Sequence, residues 1–169
     1  FGEEFVDGVL ETLDHLEANG GLIVQSENFQ ALNTLVETFR ERVSVIYTDP
    51  PYNTGSDGFI YRDSLRHSTW AAMIYDRFTA ARLLLSENGS SFVSLDENES
   101  ANFKAIAGRI FGDSNHIATC IWQKNYSPKS TANQFSSDHD YILVFSKADS
   151  NWRPGLLPRT ARQDAAYKN

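Results

Sequence analysis

Two short runs that read as strands, the β-branched Val43–Thr48 and "SFVSL" at Ser91–Leu95, flank a single amphipathic stretch, and an aspartate closes each run: Asp49 after the first, Asp96 after the second. Between them Trp70, Ile74, Phe78, Ala81 and Leu85 recur at helical spacing, and "ENG" at Glu87–Gly89 reads as the stop of that helix. Strand, helix and strand in this order make a crossover unit, which favours parallel strands. The pattern continues on both sides. Leu32, Leu35, Val36 and Phe39 form one more helical stripe; Phe103, Ile106, Ala107 and Ile110 form another, stopped by Gly112. "LIVQ" at Leu22–Gln25 reads as a short buried strand. "HIATCIW" (His116–Trp122) and "YILVF" (Tyr141–Phe145) are strands separated by a polar loop with no helix, so an antiparallel strand is expected at one edge. The expected class is α/β, a mostly parallel sheet with helices on both faces.

Val6, Val9, Leu10, Leu13 and Leu16 predict a leading helix over residues 1–19, ended by "NGG". From 149 to 169 the periodicity fades and a linker is expected. With 169 residues, 41% of them hydrophobic, the chain is long enough for about one domain. No apolar run approaches the ~18–20 residues of a membrane span. Nor does the start resemble a signal peptide, and a cytoplasmic setting is expected. Cys120 stands alone, which excludes an internal disulfide and a multi-cysteine metal site, and it reads as a core residue of its apolar strand. The net charge of −7 is not the basic footprint of a stand-alone nucleic-acid binder.

The first aspartate opens "DPPYNTG", Asp49–Gly55. Ligands of open α/β sheets gather beyond the carboxyl ends of strands. Proline fixes its own φ and biases the preceding residue towards extended backbone. Pro50 and Pro51 contribute carbonyls and no N–H, so the strand end becomes a rigid rim with two acceptors, the Asp49 carboxylate and the Pro50 carbonyl, beside the flat ring of Tyr52. A primary amine on an aromatic ring has two N–H bonds for two acceptors. Such an amine is a poor nucleophile, because its lone pair is delocalised. Acceptors on both N–H groups draw the nitrogen towards a tetrahedral shape and stabilise the positive charge that develops as it attacks. No metal is needed. In duplex DNA the amine is paired, so the base must first leave the stack.

"DPPYNTG", "FIY", "HSTW", "LLLSENGSSFVSLDENE", "IWQKNYSP", "HDYILVFSK" and "LLPRT" follow in one order. Over residues 20–160 they resemble the modification (Mod) subunits of type III restriction–modification systems, in the β-class of DNA amino-methyltransferases. The resemblance implies a Rossmann-like S-adenosylmethionine-dependent methyltransferase sheet, present in part. It implies methyl transfer to the N6 amine of a flipped adenine in double-stranded DNA. The alternatives are an N4-cytosine enzyme and a catalytically silent fragment that serves as a scaffold. Asp49, Pro50, Pro51 and Tyr52 would be catalytic. Glu27 and Asn28, with Asp49, would contact S-adenosylmethionine, although an acid in the first turn of a helix has an ordinary electrostatic reason to be there. Tyr52, Trp122, Lys124 and Tyr126 would line the base pocket; Trp122 reads equally well as a core aromatic. A restriction (Res) subunit and a second copy of the full Mod subunit are the implied partners, with no membrane. The family's Phe-x-Gly-x-Gly cofactor loop has no match in these residues. The chain therefore reads as the N-terminal part of a catalytic domain (20–148) followed by a linker towards a recognition region. By itself it is expected to be inactive and to bind cofactor and DNA poorly.

"SLDENES" places Asp96, Glu97 and Glu99 before a helix, where helix capping is a better reading than a metal site. His15, His67, His116 and His139 have no ligand spacing and read as structural or solvent-facing.

Overall fold

A computed structural model describes residues 20–55, 63–127, 137–148 and 152–166. Along the chain these form helix α1 (Asn28–Phe39), strand β1 (Val43–Thr48), helix α2 (His67–Leu84), strand β2 (Leu85–Leu95), helix α3 (Ser100–Phe111), strands β3 (His116–Gln123) and β4 (His139–Ser146), and a short helix α4 (Ala161–Ala166). The leading helix expected before residue 20 lies outside the described residues.

The strands form one four-stranded sheet in the order β1-β2-β4-β3. β1 and β2 are parallel, as a crossover through α2 requires, with Tyr47 opposite Phe92 and Thr48 opposite Val93. β4 runs antiparallel to both of its neighbours, so the sheet is mixed; the reversed strand is not at the edge as expected but lies between β2 and the outer strand β3, which runs in the same direction as β1 and β2. Because strand side chains alternate between faces, this register puts Ile46, Val93, Leu95, Leu143 and Phe145 on one face. Helices α1, α2 and α3 pack side by side over that face, each against the next. Trp70, Ile74 and Phe78 from α2 and Phe103, Ala107 and Phe111 from α3 complete the core. Phe103 meets Phe78 edge-on at 4.9 Å between ring centroids, and Phe145 at 6.2 Å. On the opposite face Val45 and Tyr47 are 57% and 62% exposed. The second helical layer expected there is not among the described residues.

Three local expectations are corrected. Residues 22–25 form no strand; Ile23 is 97% exposed, and no strand among the described residues pairs with them. "ENG" does not stop α2. The helix passes directly into β2 at Leu85, and Gly89 lies within the strand. Gly89 is needed there because β1 comes very close: a Cβ would stand 2.9 Å from the carbonyl oxygens of Val43 and Ser86. Cys120 is exposed, because β3 is the outer strand of the sheet and shares its ladder with β4 alone. Gly112 does end α3, at φ +99°.

Phe103 lies between Phe78 of α2 and Phe145 of β4 and so helps join the helix layer to the sheet. Phe103→Ala is expected to lower stability by about 3–5 kcal/mol in urea denaturation, the usual cost of emptying a fully buried aromatic site. A loss below ~1 kcal/mol would show that the helices do not depend on this ring.

Candidate active site at the carboxyl end of β1

β1 ends at Thr48, and the next four residues turn away from the sheet with no backbone N–H at two of them. Other parts of the chain hold them in place. The Trp70 indole Nε1–H donates to the Pro51 carbonyl at 2.7 Å, from a fully buried ring. The hydroxyls of Tyr52 and Ser94 hydrogen bond at 2.7 Å, which ties the loop to the end of β2. Asn53 has a left-handed backbone, φ +59°, and its N–H donates to Asp63 Oδ1 at 2.8 Å. Asp63 is itself buried and also accepts from the backbone N–H and hydroxyl of Thr54. Asp49 remains exposed. Burial raises the Tyr52 pKa, and the Asp49 and Asp140 carboxylates add to it against the Ser94 hydrogen bond, so the ring stays a neutral phenol.

On one side of this rim lies a cavity of about 570 Å³, lined by Glu27, Asn28, Thr48, Asp49, Pro50 and Arg77 together with apolar side chains of α1 and α2. The Thr48 hydroxyl is buried and has no hydrogen-bond partner among the described residues. Glu27 is the N-cap of α1. Its Oε2 accepts from the N–H groups of Phe29 and Gln30 at 2.8 and 3.2 Å, and its Oε1 from Arg77 at 2.5 Å. The ordinary reading of Glu27 as an acid at a helix start therefore holds, and the residue also faces the cavity.

On the other side stand Ser94, Asp96, Lys124 and Asp140. Asp96 accepts from Asn98 through both backbone and side chain, a local turn before α3. Burial raises its pKa, against the Asn98 hydrogen bonds and the Lys124 charge. Lys124 Nζ is 2.6 Å from Asp140 Oδ1, so its charge is already paired. β3 lies three strand spacings, roughly 14 Å, from β1. Trp122, on that strand, is 60% exposed and Tyr126 84% exposed. Trp122 is therefore not a core residue, and neither ring is brought against Tyr52. Asp49, Pro50, Pro51, Glu27 and Asn28 are brought together around one cavity; Tyr52 and Lys124 fall on its far side. Among the described residues no group of His, Cys, Asp and Glu side chains could hold a metal ion, and no helix is long and apolar enough to cross a membrane.

Sequence reasoning missed Arg77, Asn53, Asp63 and Glu99. Arg77 had a signal, since it follows the buried Ile74 by three residues and so borders the α2 face turned towards α1. The others act through contacts 10 to 46 residues apart in sequence, which no local pattern displays.

Residues 43–168, which carry this strand end and most of the cavity lining, match the DNA methylase family of N6 and N4 methyltransferases. The chain belongs to that family. Among curated proteins it is similar to the type III restriction–modification enzyme EcoP15I Mod subunit of Escherichia coli, at 33% identity over 80% of this chain. It spans only 26% of that protein's length. Among solved structures it is similar to the M1.HpyAVI–SAM complex (TM-score 0.53, 14% identity, 80% of this chain and 60% of that one). It is also similar to the cytosine-N4-specific PvuII DNA methyltransferase (TM-score 0.52, 16% identity, 72% and 48%). These likenesses establish a Rossmann-like methyltransferase fold.

The Glu27 cap gives a pH test. Partial desolvation works against ionisation of Glu27, but hydrogen bonds from Gln30, Arg77 and Phe29 outweigh it and hold the pKa below the usual 4.5. A lowered folded pKa means that the contribution of this carboxylate is complete above 4.5 and is lost as pH falls through the lower folded value. In a carbon-detected NMR titration the Glu27 carboxyl should show a midpoint below 4.5, and Arg77→Ala should raise it. A midpoint unmoved by that substitution would mean that the ion pair is not formed in solution.

Proposed function

We propose that this chain is the amine-handling part of an S-adenosylmethionine-dependent DNA methyltransferase whose product is N6-methyladenine, working within a type III restriction–modification system. The observation that carries the reading is the exposed Asp49 carboxylate beside the Pro50 carbonyl. Trp70 takes the Pro51 carbonyl, and no hydrogen bond occupies the Pro50 carbonyl among the described residues. The Pro50 carbonyl is thus open, and the Asp49 carboxylate, within hydrogen-bond reach of the Tyr52 hydroxyl, keeps further lone pairs, so the two can accept the two N–H bonds of an aromatic amine. Neither acceptor needs to reorganise as positive charge develops on the nitrogen. The neutral Tyr52 ring offers a stacking face without adding charge.

The cavity fits the cofactor. Its volume of about 570 Å³ is within the range of small-molecule sites. The Asp49 carboxylate suits a positively charged ligand, and the buried Thr48 hydroxyl lacks, among the described residues, a partner that a polar ligand would provide. Glu27, Asn28, Thr48, Asp49 and Pro50 would hold it. When bound, S-adenosylmethionine supplies an electrophilic methyl group on a sulfonium. Glu27 retains lone pairs for ribose hydroxyls beyond those used by Arg77 and the backbone.

A Res subunit and a second copy of the complete polypeptide are the partners this reading expects. The paired Lys124 and the net charge of −7 leave little basic surface here, so most duplex affinity should come from other parts of the polypeptide. Trp122 and Tyr126, both exposed, would close on the base only once it has left the stack. The N4 amine of cytosine presents the same two N–H bonds and is the second reading.

In the full-length enzyme that carries these residues, Asp49→Ala should lower methyl transfer by about 10²–10³-fold, the usual cost of one such stabilising contact. The thermal midpoint should stay near wild type, because Asp49 is exposed. A drop in midpoint like that of a core deletion would make Asp49 structural. Nucleoside analysis of the product decides the base: N6-methyladenosine supports this reading, and N4-methylcytosine replaces it with the second.

A further inference from the structure

Glu99 is the N-cap residue of α3, yet its side chain makes no capping hydrogen bond and is fully buried instead. Three donors surround its carboxylate. Asn53 Nδ2 donates to Oε1 at 2.6 Å, His67 Nδ1 lies 2.8 Å from the same oxygen, and Asn102 Nδ2 donates to Oε2 at 2.7 Å. They come from the loop after β1, the start of α2 and the first turn of α3. A buried carboxylate is costly to desolvate, and an apolar residue of similar size would often serve stability as well. Helix capping does not explain the burial. The shortest of its three contacts is the one to Asn53, and that contact joins α3 to the loop after β1.

Asn53 is the residue through which the loop changes direction. Its left-handed backbone is uncommon outside glycine. All of its polar groups facing the protein are used: Nδ2 on Glu99, Oδ1 accepting from Leu65 N–H at 2.7 Å, and N–H on Asp63. One residue upstream is Tyr52, and two further is Pro50.

We propose that Glu99 is the positioning residue of the DPPYNTG loop: through Asn53 its buried carboxylate fixes the loop and so sets the Pro50 carbonyl and the Tyr52 ring where they meet the target amine. This rests on the methyltransferase reading for its catalytic consequence, and on geometry alone for the fixing of the loop. Acceptors that act on developing charge must be in place beforehand, and a shift of about 1 Å is worth roughly 10²-fold in rate. Glu99 touches neither base nor cofactor in this arrangement and acts through Asn53.

The test is a polarity exchange in the full-length enzyme, at pH 8. Asn53→Asp sets two carboxylates against each other at a contact that is 2.6 Å long in the wild type. In Asn53→Asp/Glu99→Gln the same contact is rebuilt with donor and acceptor reversed. The single variant should lose about 10–100-fold in kcat, with the Kd for S-adenosylmethionine within about twofold of wild type. Its peptide over residues 50–55 should exchange amide hydrogens faster. The double variant should recover most of both losses. Wild-type kcat and exchange in Asn53→Asp, or a double variant no better than the single, would overturn the proposal. If exchange follows this pattern while wild type transfers no methyl group, the positioning role stands and the proposed function falls.

Discussion

The hydrogen bond from Trp70 to the Pro51 carbonyl is the contact on which the site depends. A chain leaving a strand through two prolines has no backbone N–H with which to rejoin a ladder, so its course must be fixed from outside. The parallel pairing of β1 with β2 supplies the means. It requires a crossover, the crossover is α2, and the first turn of α2 returns to the end of β1. Trp70, buried in the core by its ring, reaches back with its single donor. The same ring therefore anchors the helix layer and the loop, and the loop inherits the rigidity of the core.

Polar groups around the loop divide into those that are satisfied and those left open. Asp63 and Glu99 are buried carboxylates whose oxygens are surrounded by donors from the loop and its neighbours. Lys124 is paired with Asp140, and Glu27 with Arg77. The exposed Asp49 carboxylate and the buried Thr48 hydroxyl, which has no partner among the described residues, are consecutive in sequence. Thr38, Arg82, Ser91 and Asn115 also bury a side-chain polar atom with no partner among the described residues, and of these groups it is Thr48 that lines the cavity.

Much of this was legible in the sequence, for local reasons. The β1–α2–β2 crossover follows from two strand-like runs around one helical stripe, and the antiparallel pair follows from the missing helix between β3 and β4. Asp49 is visible because a strand pattern stops at an acid and two prolines. "LIVQ" misled because β-propensity describes a residue's fit to a sheet and not the presence of a neighbour to pair with. "ENG" misled because glycine serves both helix ends and close backbone approaches, and only the Val43 carbonyl beside Gly89 shows which applies. Cys120 and Trp122 lie in an apolar run that predicts burial, but an outer strand exposes much of what it carries. Glu99 was read as a cap from its place before α3, and its real partners come from segments that are adjacent only in the folded chain.

Asp49 sits between the two halves of the site. Its carboxylate lines the cavity beside Glu27 and Pro50, and it also lies close enough to Tyr52 to help hold that phenol neutral. A carboxylate has about four lone-pair directions and can face both sides at once. In the proposed reaction one group would then feel both reactants: a positively charged ligand in the cavity and an amine acquiring positive charge at the rim. In that reaction an acid at the junction, followed by two prolines and held through the Glu99 network, would let one short segment orient both reactants without moving between them.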